Sequence, residues 1–340
     1  MDLAPDSAEE LAAALAENAR AQKTIRFGGR FSKDDAGGPL SKPAGVTLST
    51  SNLRAVRQYE PSDLTVSVDA GLPWAELSAL LATHRQMIPV DPPWSDTATV
   101  GGVVATNYSG PRRRGFGTVR DHVIGMRFAT LDGKIVQSGG MVVKNVAGLD
   151  MGKLLIGSWG TLGAMVSVNF KLTPQPEYTK TFAREFPKLE DAIASRDGMM
   201  QGVLQPWAID LLNPAAATAL GFKGWTLLLQ AGGSATVIAR YKQSLAGFGE
   251  TSDEIWTAIR EFPARHKRVA ARRFAPSDLA AAIKDAKGEA VARAASGILY
   301  ETVDAFTRPP EPAGFEMMRR VKAMFDPDAI LNPGRLNGLL

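Results

Sequence analysis

The chain has 340 residues, 45% of them apolar and 22% charged, with a formal charge of +4. That length holds two domains, and that balance belongs to a globular protein rather than a disordered one. There is no cysteine and there are only three histidines, His84, His122 and His266, far apart; this removes disulfides, thiolate nucleophiles, thiolate-held zinc or iron–sulfur clusters and a cysteinyl cofactor link, and the expected metal content is none.

Ser7 followed by Glu10 has capping-box spacing, and Leu11, Leu15 and Ala19 recur at helical intervals, so a helix is predicted over Ser7–Ala21. The stretch is acidic, with neither the basic leader nor the apolar core of a secretory signal. No apolar run reaches the roughly 18 residues that cross a bilayer. A cytoplasmic location is therefore expected. A strand over Thr24–Phe27 runs into a first glycine loop, Gly28-Gly29-Arg30-Phe31-Ser32-Lys33. Next come a strand at Gly45–Ser49, a short helix at Asn52–Gln58, a strand at Leu64–Val68 and a helix at Pro73–Arg85. Met87–Val90 is short and extended, ended by Asp91-Pro92-Pro93. A second glycine segment, Thr97–Asn107 with Gly101-Gly102 at its centre, is placed to open a helix whose start faces an anion. Val123–Thr130 and Ile135–Ser138 form a hairpin turning at Asp132-Gly133. A short helix over Asp150–Ile156 precedes a third glycine loop, Gly157-Ser158-Trp159-Gly160-Thr161-Leu162-Gly163, and a strand at Ala164–Leu172.

Pro174-Gln175-Pro176 reads as a linker. Beyond it, strands at Thr179–Phe186, Gly202–Leu212, Trp225–Gln230, Val269–Phe274 and within Ala290–Glu301 alternate with helices at Lys188–Arg196, Pro214–Ala219, Ala235–Leu245, Asp253–Phe262 and Ser277–Ala286. That alternation predicts an antiparallel sheet with helices on one face. Arg308-Pro309-Pro310-Glu311-Pro312 marks a return linker, followed by a helix at Phe315–Phe325 and the segment Asp326–Arg335. The expected fold class is α+β, with an N-terminal domain over 1–175, a cap domain over 176–307 and a return segment over 308–340.

Glycine lets backbone N–H groups come close to a ligand, and successive N–H groups aimed into one concavity make an anion nest. Three such loops in the first half of the chain predict a large ligand with phosphates and a planar head. None reads GxGxxG or GxxxxGK[ST], so neither Rossmann nor P-loop binding is expected. The basic runs are Arg112-Arg113-Arg114 and Arg265–Arg268 with Arg272-Arg273. Without interleaved aromatics or a recognised module, no nucleic-acid partner is predicted, and the second run reads as a solvated face. The arginine triplet is open to four roles: a cation near a redox ring, a bidentate grip on a carboxylate, a contact to a partner chain, or a solvated loop.

Four motifs, in order, resemble those of FAD proteins of the vanillyl-alcohol oxidase type, which carry a PCMH-type FAD domain. They are Arg26-x-x-Gly29-x-x-Ser32-Lys33; Thr99-x-Gly101-Gly102-x-x-Ala105-x-Asn107; Gly148-Leu149-Asp150…Gly157-Ser158-x-Gly160-Thr161-Leu162-Gly163; and Phe325-Asp326-Pro327…Leu331-Asn332-Pro333-Gly334-Arg335. The resemblance covers residues 20–175 and 315–336. Within that group, Pro89–Pro93, Ser109-Gly110-Pro111-Arg112-Arg113, Thr118–Asp121 and Met141–Asp150 are similar to glycolate oxidase (glycolate dehydrogenase) subunits of the GlcE type. The resemblance implies a PCMH-type domain of two α/β subdomains plus a cap, and an FAD-dependent oxidoreductase subunit. FAD would be non-covalent, since the first loop lacks the linking histidine of some relatives. Gly28, Gly29, Arg30, Phe31 and Ser32 would take the diphosphate, with Lys33 offsetting its charge. Thr99, Gly101, Gly102, Ala105, Thr106 and Asn107 would line the diphosphate and the flavin edge, with Pro92, Arg112, Val119 and Asp121 as further cofactor-binding candidates. Gly157, Gly160, Thr161 and Gly163 would approach the adenosine and flavin sides, the strand ending at Val166 would give backbone bonds to the adenine, and Asn332 and Arg335 would return to the flavin region.

Larger relatives that oxidise D-2-hydroxy acids carry a histidine-rich H-x-G-D-G-N-x-H motif in their cap, and nothing like it occurs here. Such an oxidation needs a general base for the hydroxyl proton, and no side chain fills that role convincingly: His122 opens an apolar strand and His84 ends a helix. The resemblance therefore implies one subunit of an assembly with a catalytic flavoprotein and an iron–sulfur subunit, with attachment at the inner membrane through those partners as an alternative to a free cytoplasmic complex. A stand-alone FAD oxidoreductase and a flavin-stabilised assembly subunit are the competing readings.

Overall fold

Ser7 caps the first helix, Ala8–Arg20, by accepting from Glu10 N–H at 3.1 Å. The Glu10 carboxylate closes back one residue earlier than a capping box requires, on Asp6 N–H. The buried Leu11 and Leu15 of this helix lie on Ile25, Val46 and Leu48. Those residues belong to a three-stranded parallel sheet in which Val46–Ser49 is flanked by Asp2–Leu3 and Ile25–Gly28. The structure, a computed structural model, describes residues 2–142, 150–305 and 311–339. Residues 143–149 of the Met141–Asp150 motif, Gly148 and Leu149 among them, and residues 308–310 of the return linker lie outside the described residues.

The second subdomain is a five-stranded antiparallel sheet in the order Val56–Glu60, Thr65–Asp69, Ala164–Lys171, Val123–Ala129, Ile135–Gly139. Its core takes Trp74 and Leu77 from the helix Trp74–Ala82 and Val100, Val103 and Val104 from the helix Val100–Thr106. The helix predicted over Asn52–Gln58 is absent: Val56–Glu60 is an edge strand paired to Thr65–Asp69. Pro61 closes the hairpin and the ladder overrides weak helical propensity.

Beyond the linker, seven antiparallel strands run in the order Gly249–Thr251, Tyr178–Phe186, Trp225–Gly233, Ala208–Leu212, Ala290–Arg293, Ile298–Thr302, Val269–Arg273. The helices Leu189–Gln201, Ala235–Ser244 and Leu279–Lys284 cover one face. The expectation of helices on one face is incomplete: the shorter helices Pro214–Ala219, Ile255–Arg260 and Phe262–Arg265 cover the other face, where Tyr108 of the N-terminal half also packs. The strand predicted from Gly202 begins only at Ala208, because the preceding helix runs on to Gln201.

After the helix Phe315–Phe325 the chain returns to the first subdomain. Ile25 N–H donates to Ile330 C=O at 2.8 Å and Asn332 N–H to Ile25 C=O at 2.9 Å. The buried Lys322 ammonium donates to Thr161 C=O and Leu331 C=O, each at 2.8 Å, and is paired with Asp326. Asp326 in turn accepts from Ile330 and Leu331 N–H. The C-terminal motif is thus a clamp on the N-terminal sheet.

Candidate functional site

Gly28 ends one parallel strand and Thr50 follows its neighbour, so the first glycine loop stands at the carboxyl end of that sheet. Together with the helix Val100–Thr106 and the third loop, it lines an open groove. The groove is lined by the predicted residues Gly28, Gly29, Arg30, Phe31, Ser32, Thr99, Gly101, Gly102, Ala105, Thr106, Gly160 and Arg335. One concavity therefore receives parts of all three glycine segments and of the C-terminal motif, which are far apart in sequence.

The three segments do different work. Among the described residues, the N–H groups of Gly29, Arg30, Phe31, Ser32 and Lys33 donate to no protein acceptor. Five consecutive bare amides beside a groove make an anion nest. The second segment spends its amides internally: Val100 N–H bonds Leu72 C=O at 2.9 Å, Gly101 N–H bonds Ala70 C=O at 2.7 Å and Gly102 N–H bonds Thr99 Oγ1 at 3.2 Å. The third loop spends two of its amides on that helix: Gly157 N–H bonds Val104 C=O at 3.1 Å and Trp159 N–H bonds Ala105 C=O at 2.8 Å. The glycines of the second segment thus serve close approach, while in the third loop Gly160 does so and, among the described residues, also keeps an N–H with no protein acceptor. A Cβ on Gly101 would meet Ala70 at 2.9 Å, and one on Gly160 would meet Asn332 Nδ2 at 2.9 Å.

Thr99 holds the helix start that forms one wall. Thr99→Val removes the only side-chain cap of Val100–Thr106. It should lower stability by about 1 kcal/mol, read as a lower urea midpoint, with the groove otherwise intact.

The remaining predicted residues lie outside the groove. Asn332, 1% exposed, stitches loops together: its Oδ1 accepts from Phe27 N–H at 2.8 Å, and its Nδ2 donates to the carbonyls of Phe27, Trp159 and Gly160 at 2.8, 3.1 and 3.3 Å. Arg335 reaches the groove wall but is committed to Asp34, with Nη2 at 2.5 Å from Oδ1, and to the carbonyl of Gly38. Asp34 also pairs with Arg26, whose guanidinium lies over the Phe31 ring. Val166 C=O is already used by Ala70 N–H. Asp121 closes a capping box with Thr118, and Val119 N–H bonds Ser109 Oγ. Thr161 Oγ1 bonds Ser158 C=O, Gly163 is pressed against Ala129 C=O, and Asn107 ends its helix in the left-handed region.

Arg112 faces the cap. Its Nε donates to Gln230 Oε1 at 3.1 Å and its guanidinium lies 5.6 Å from the Trp207 ring. Arg114 bonds Gln205, and Gly115 N–H bonds Trp207 C=O. The triplet is a domain seam, a role outside the four left open by the sequence. Pro92, Asp91, Arg112, Gln230 and Arg260 line a second chamber of about 510 Å³ between the two halves. There, burial pushes the Asp91 carboxyl up to about 6, against the opposing pull of Arg112. His122 lines neither cavity: its Nε2 is 2.9 Å from Phe116 C=O, and burial lowers its pKa. Among the described residues, no group of three or more His, Cys, Asp or Glu side chains is placed to hold a metal.

Lys33, expected to offset the diphosphate charge, lines the groove, and so do Phe27, Asp34, Thr50, Ala70, Trp159 and Met165, which the sequence did not single out as site residues. Trp159 stands in the left-handed region at φ 57° and Phe31 at φ 55°, conformations that bulky side chains rarely adopt. The usable signal for Trp159 was an aromatic between two loop glycines. Lys33 is 6% exposed, and among the described residues its ammonium has no hydrogen-bond partner. Burial lowers its pKa to about 7, with Glu261 of the cap pulling the other way.

Residues 2–139 match the family described as FAD binding domain, and residues 297–336 match FAD linked oxidases, C-terminal domain. The chain is 30% identical to glycolate oxidase subunit GlcE of Escherichia coli over 334 residues, covering 91% of each protein. It is 28% identical to glycolate oxidase subunit GlcD of Bacillus subtilis over 52% of this chain and 38% of that one. It is 29% identical to a mitochondrial D-lactate dehydrogenase [cytochrome] of Arabidopsis thaliana, spanning only 40% of that protein. Two solved structures share the fold: alkyldihydroxyacetonephosphate synthase, with TM-score 0.77 and 18% identity over 98% of this chain and 75% of that one, and 4-ethylphenol oxidase from Gulosibacter chungangensis, with TM-score 0.72 and 15% identity over 99% and 89%.

Proposed function

The chain belongs to the family of FAD-linked oxidases that includes glycolate oxidase subunit GlcE, and from that premise we propose that it is the FAD-binding subunit of a glycolate dehydrogenase complex whose flavin passes electrons between partner subunits. The observation that carries this reading is end-to-end likeness: 91% of this chain aligns with 91% of GlcE. The groove residues fit the cofactor. Five bare amides at Gly29–Lys33 and a buried, unpartnered ammonium form a donor set for a diphosphate. Bound there, FAD supplies a two-electron acceptor. Gly28 to Ser32 would hold the diphosphate. Thr99, Gly101, Gly102, Ala105, Thr106 and Gly160 would shape the wall along which the dinucleotide lies, and Asn332 and Arg335 would hold the walls in register.

A catalytic flavoprotein and an iron–sulfur subunit are the proposed partners. The chain has no cysteine, so a cluster in the relay would sit on another subunit. Among the described residues, no helix is long and apolar enough to cross a membrane; attachment at a membrane would run through partners. The second reading, a stand-alone FAD oxidoreductase, is favoured by the chamber at the seam, which Arg112 and Arg260 line with positive charge although each already has a side-chain partner, Gln230 and Glu261. Co-purification with endogenous partners, followed by an absorbance spectrum, decides between them. The expected result is yellow chain that glycolate does not bleach alone and does bleach in the complex. Bleaching of the isolated chain by glycolate would transfer the assignment to the second reading.

A further inference from the structure

Lys33 stands out among the buried cations. Lys322 has two carbonyls and a carboxylate, and Arg293 has Asp210 and Ile259 C=O. Among the described residues, Lys33 Nζ has no hydrogen-bond partner, although the residue is only 6% exposed and lines the groove. It lies 4.0 Å from where a Cβ on Gly102 would stand and 5.6 Å from the centre of the Trp94 ring. It therefore projects toward the helix that faces the bare-amide loop. An isolated buried ammonium is strongly unfavourable unless an anion joins it. Amides alone supply partial charges, while the diphosphate of a dinucleotide diester carries two full negative charges.

We propose that Lys33 Nζ is the buried cationic partner of the FAD diphosphate, so that the protein takes up a proton when it takes up the dinucleotide. This deepens the FAD-binding reading and rests on it. The charged groups around Lys33 are few. Glu261 faces it from the cap, where it also accepts from Trp94 N–H at 2.7 Å and Ser95 Oγ at 3.1 Å. Arg30, Asp34 and Arg335 line the same groove, and Asp34 is held by Arg26 and Arg335. In the free protein, burial holds Lys33 near 7 against an ordinary 10.5. Between those values the unfolded chain binds more protons than the folded one, so the stability of the free protein rises with pH across that window. Below it both states carry the proton, and the full penalty of burying the cation is felt. A bound diphosphate favours the charged form and flattens that slope.

The test is calorimetric titration of the full chain with FAD at pH 6 and pH 8, in two buffers of different ionisation enthalpy. ADP-ribose serves as a diphosphate diester without flavin, and riboflavin as flavin without diphosphate. Wild type should take up close to one proton per FAD or ADP-ribose at pH 8 and much less at pH 6. Lys33→Met should abolish the uptake and weaken ADP-ribose binding roughly 10- to 100-fold, the worth of a charge-assisted bond, while leaving riboflavin binding unchanged. Its unfolding should lose the pH slope, which shows that the variant folds and reports the buried amine directly. Lys33→Arg should restore ADP-ribose affinity without proton uptake, because arginine stays charged. Binding by wild type without proton uptake, or uptake that survives in Lys33→Met, overturns this proposal alone. No binding of FAD or ADP-ribose by wild type overturns the FAD-binding reading with it.

Discussion

Gly29→Val is expected to raise the dissociation constant for FAD at least roughly 100-fold, a loss of about 2.7 kcal/mol, while the far-UV circular dichroism stays that of the folded chain. Gly29 and Thr99 face each other from two walls of the groove. A Cβ there runs into Thr99 Oγ1 and comes within 2.8 Å of Thr99 Cγ2. The loop must then swing away from the helix, or Thr99 must rotate and release Gly102 N–H. Either move displaces the loop of bare amides that lines the groove, and an anion nest depends on the placement of its amides. Gly249→Val is the control, since nothing stands within 4 Å of a Cβ at that position; its FAD affinity should equal wild type. Flavin fluorescence quenching reads both. A Gly29→Val affinity within threefold of wild type would place the phosphates elsewhere.

Asn332→Ala is expected to cost about 3–4 kcal/mol in urea unfolding and to weaken FAD binding about tenfold. The side chain is 1% exposed and satisfies Phe27 on both its N–H and its C=O while also holding the carbonyls of Trp159 and Gly160. Truncation strands these buried groups. Phe27, Trp159 and Gly160 all line the groove, so the loss is felt at the ligand although Asn332 lies behind the wall. Asn332→Asp keeps the acceptor for Phe27 N–H but turns a donor into an oxygen facing three carbonyls. It should be at least as damaging as alanine. A change below about 1 kcal/mol in either variant would show that the clamp is redundant with Lys322 and Asp326.

Periodicity and punctuation located the long elements. The predicted helix at Phe315–Phe325 is observed with those ends, and the hairpin around Asp132-Gly133 pairs as read. Short edge segments were misread, as at Asn52–Gln58, because the pairing that makes Val56–Glu60 a strand comes from a neighbour outside the window. The glycine loops were legible as loops, and their shared motifs pointed to FAD. Which amides stay free was not legible, because the acceptors that consume many of them, such as Leu72, Ala70, Val104 and Ala105, are supplied by the packing of one segment on another.

By itself the sequence determined the chemistry available: no thiolate, no histidine cluster, glycine at the points of close approach, and a C-terminal motif able to return to the start of the chain. Only the tertiary structure decided the assignment of roles. It turned Arg112 toward the cap, bound Arg335 to Asp34, placed Asn332 behind the groove and left Lys33 buried without a hydrogen-bond partner among the described residues. The physical reason is that spacing along the chain specifies which face of an element a side chain takes. Whether that side chain meets a protein acceptor or is left for a ligand depends on what another segment brings to within about 3 Å, the reach of a hydrogen bond.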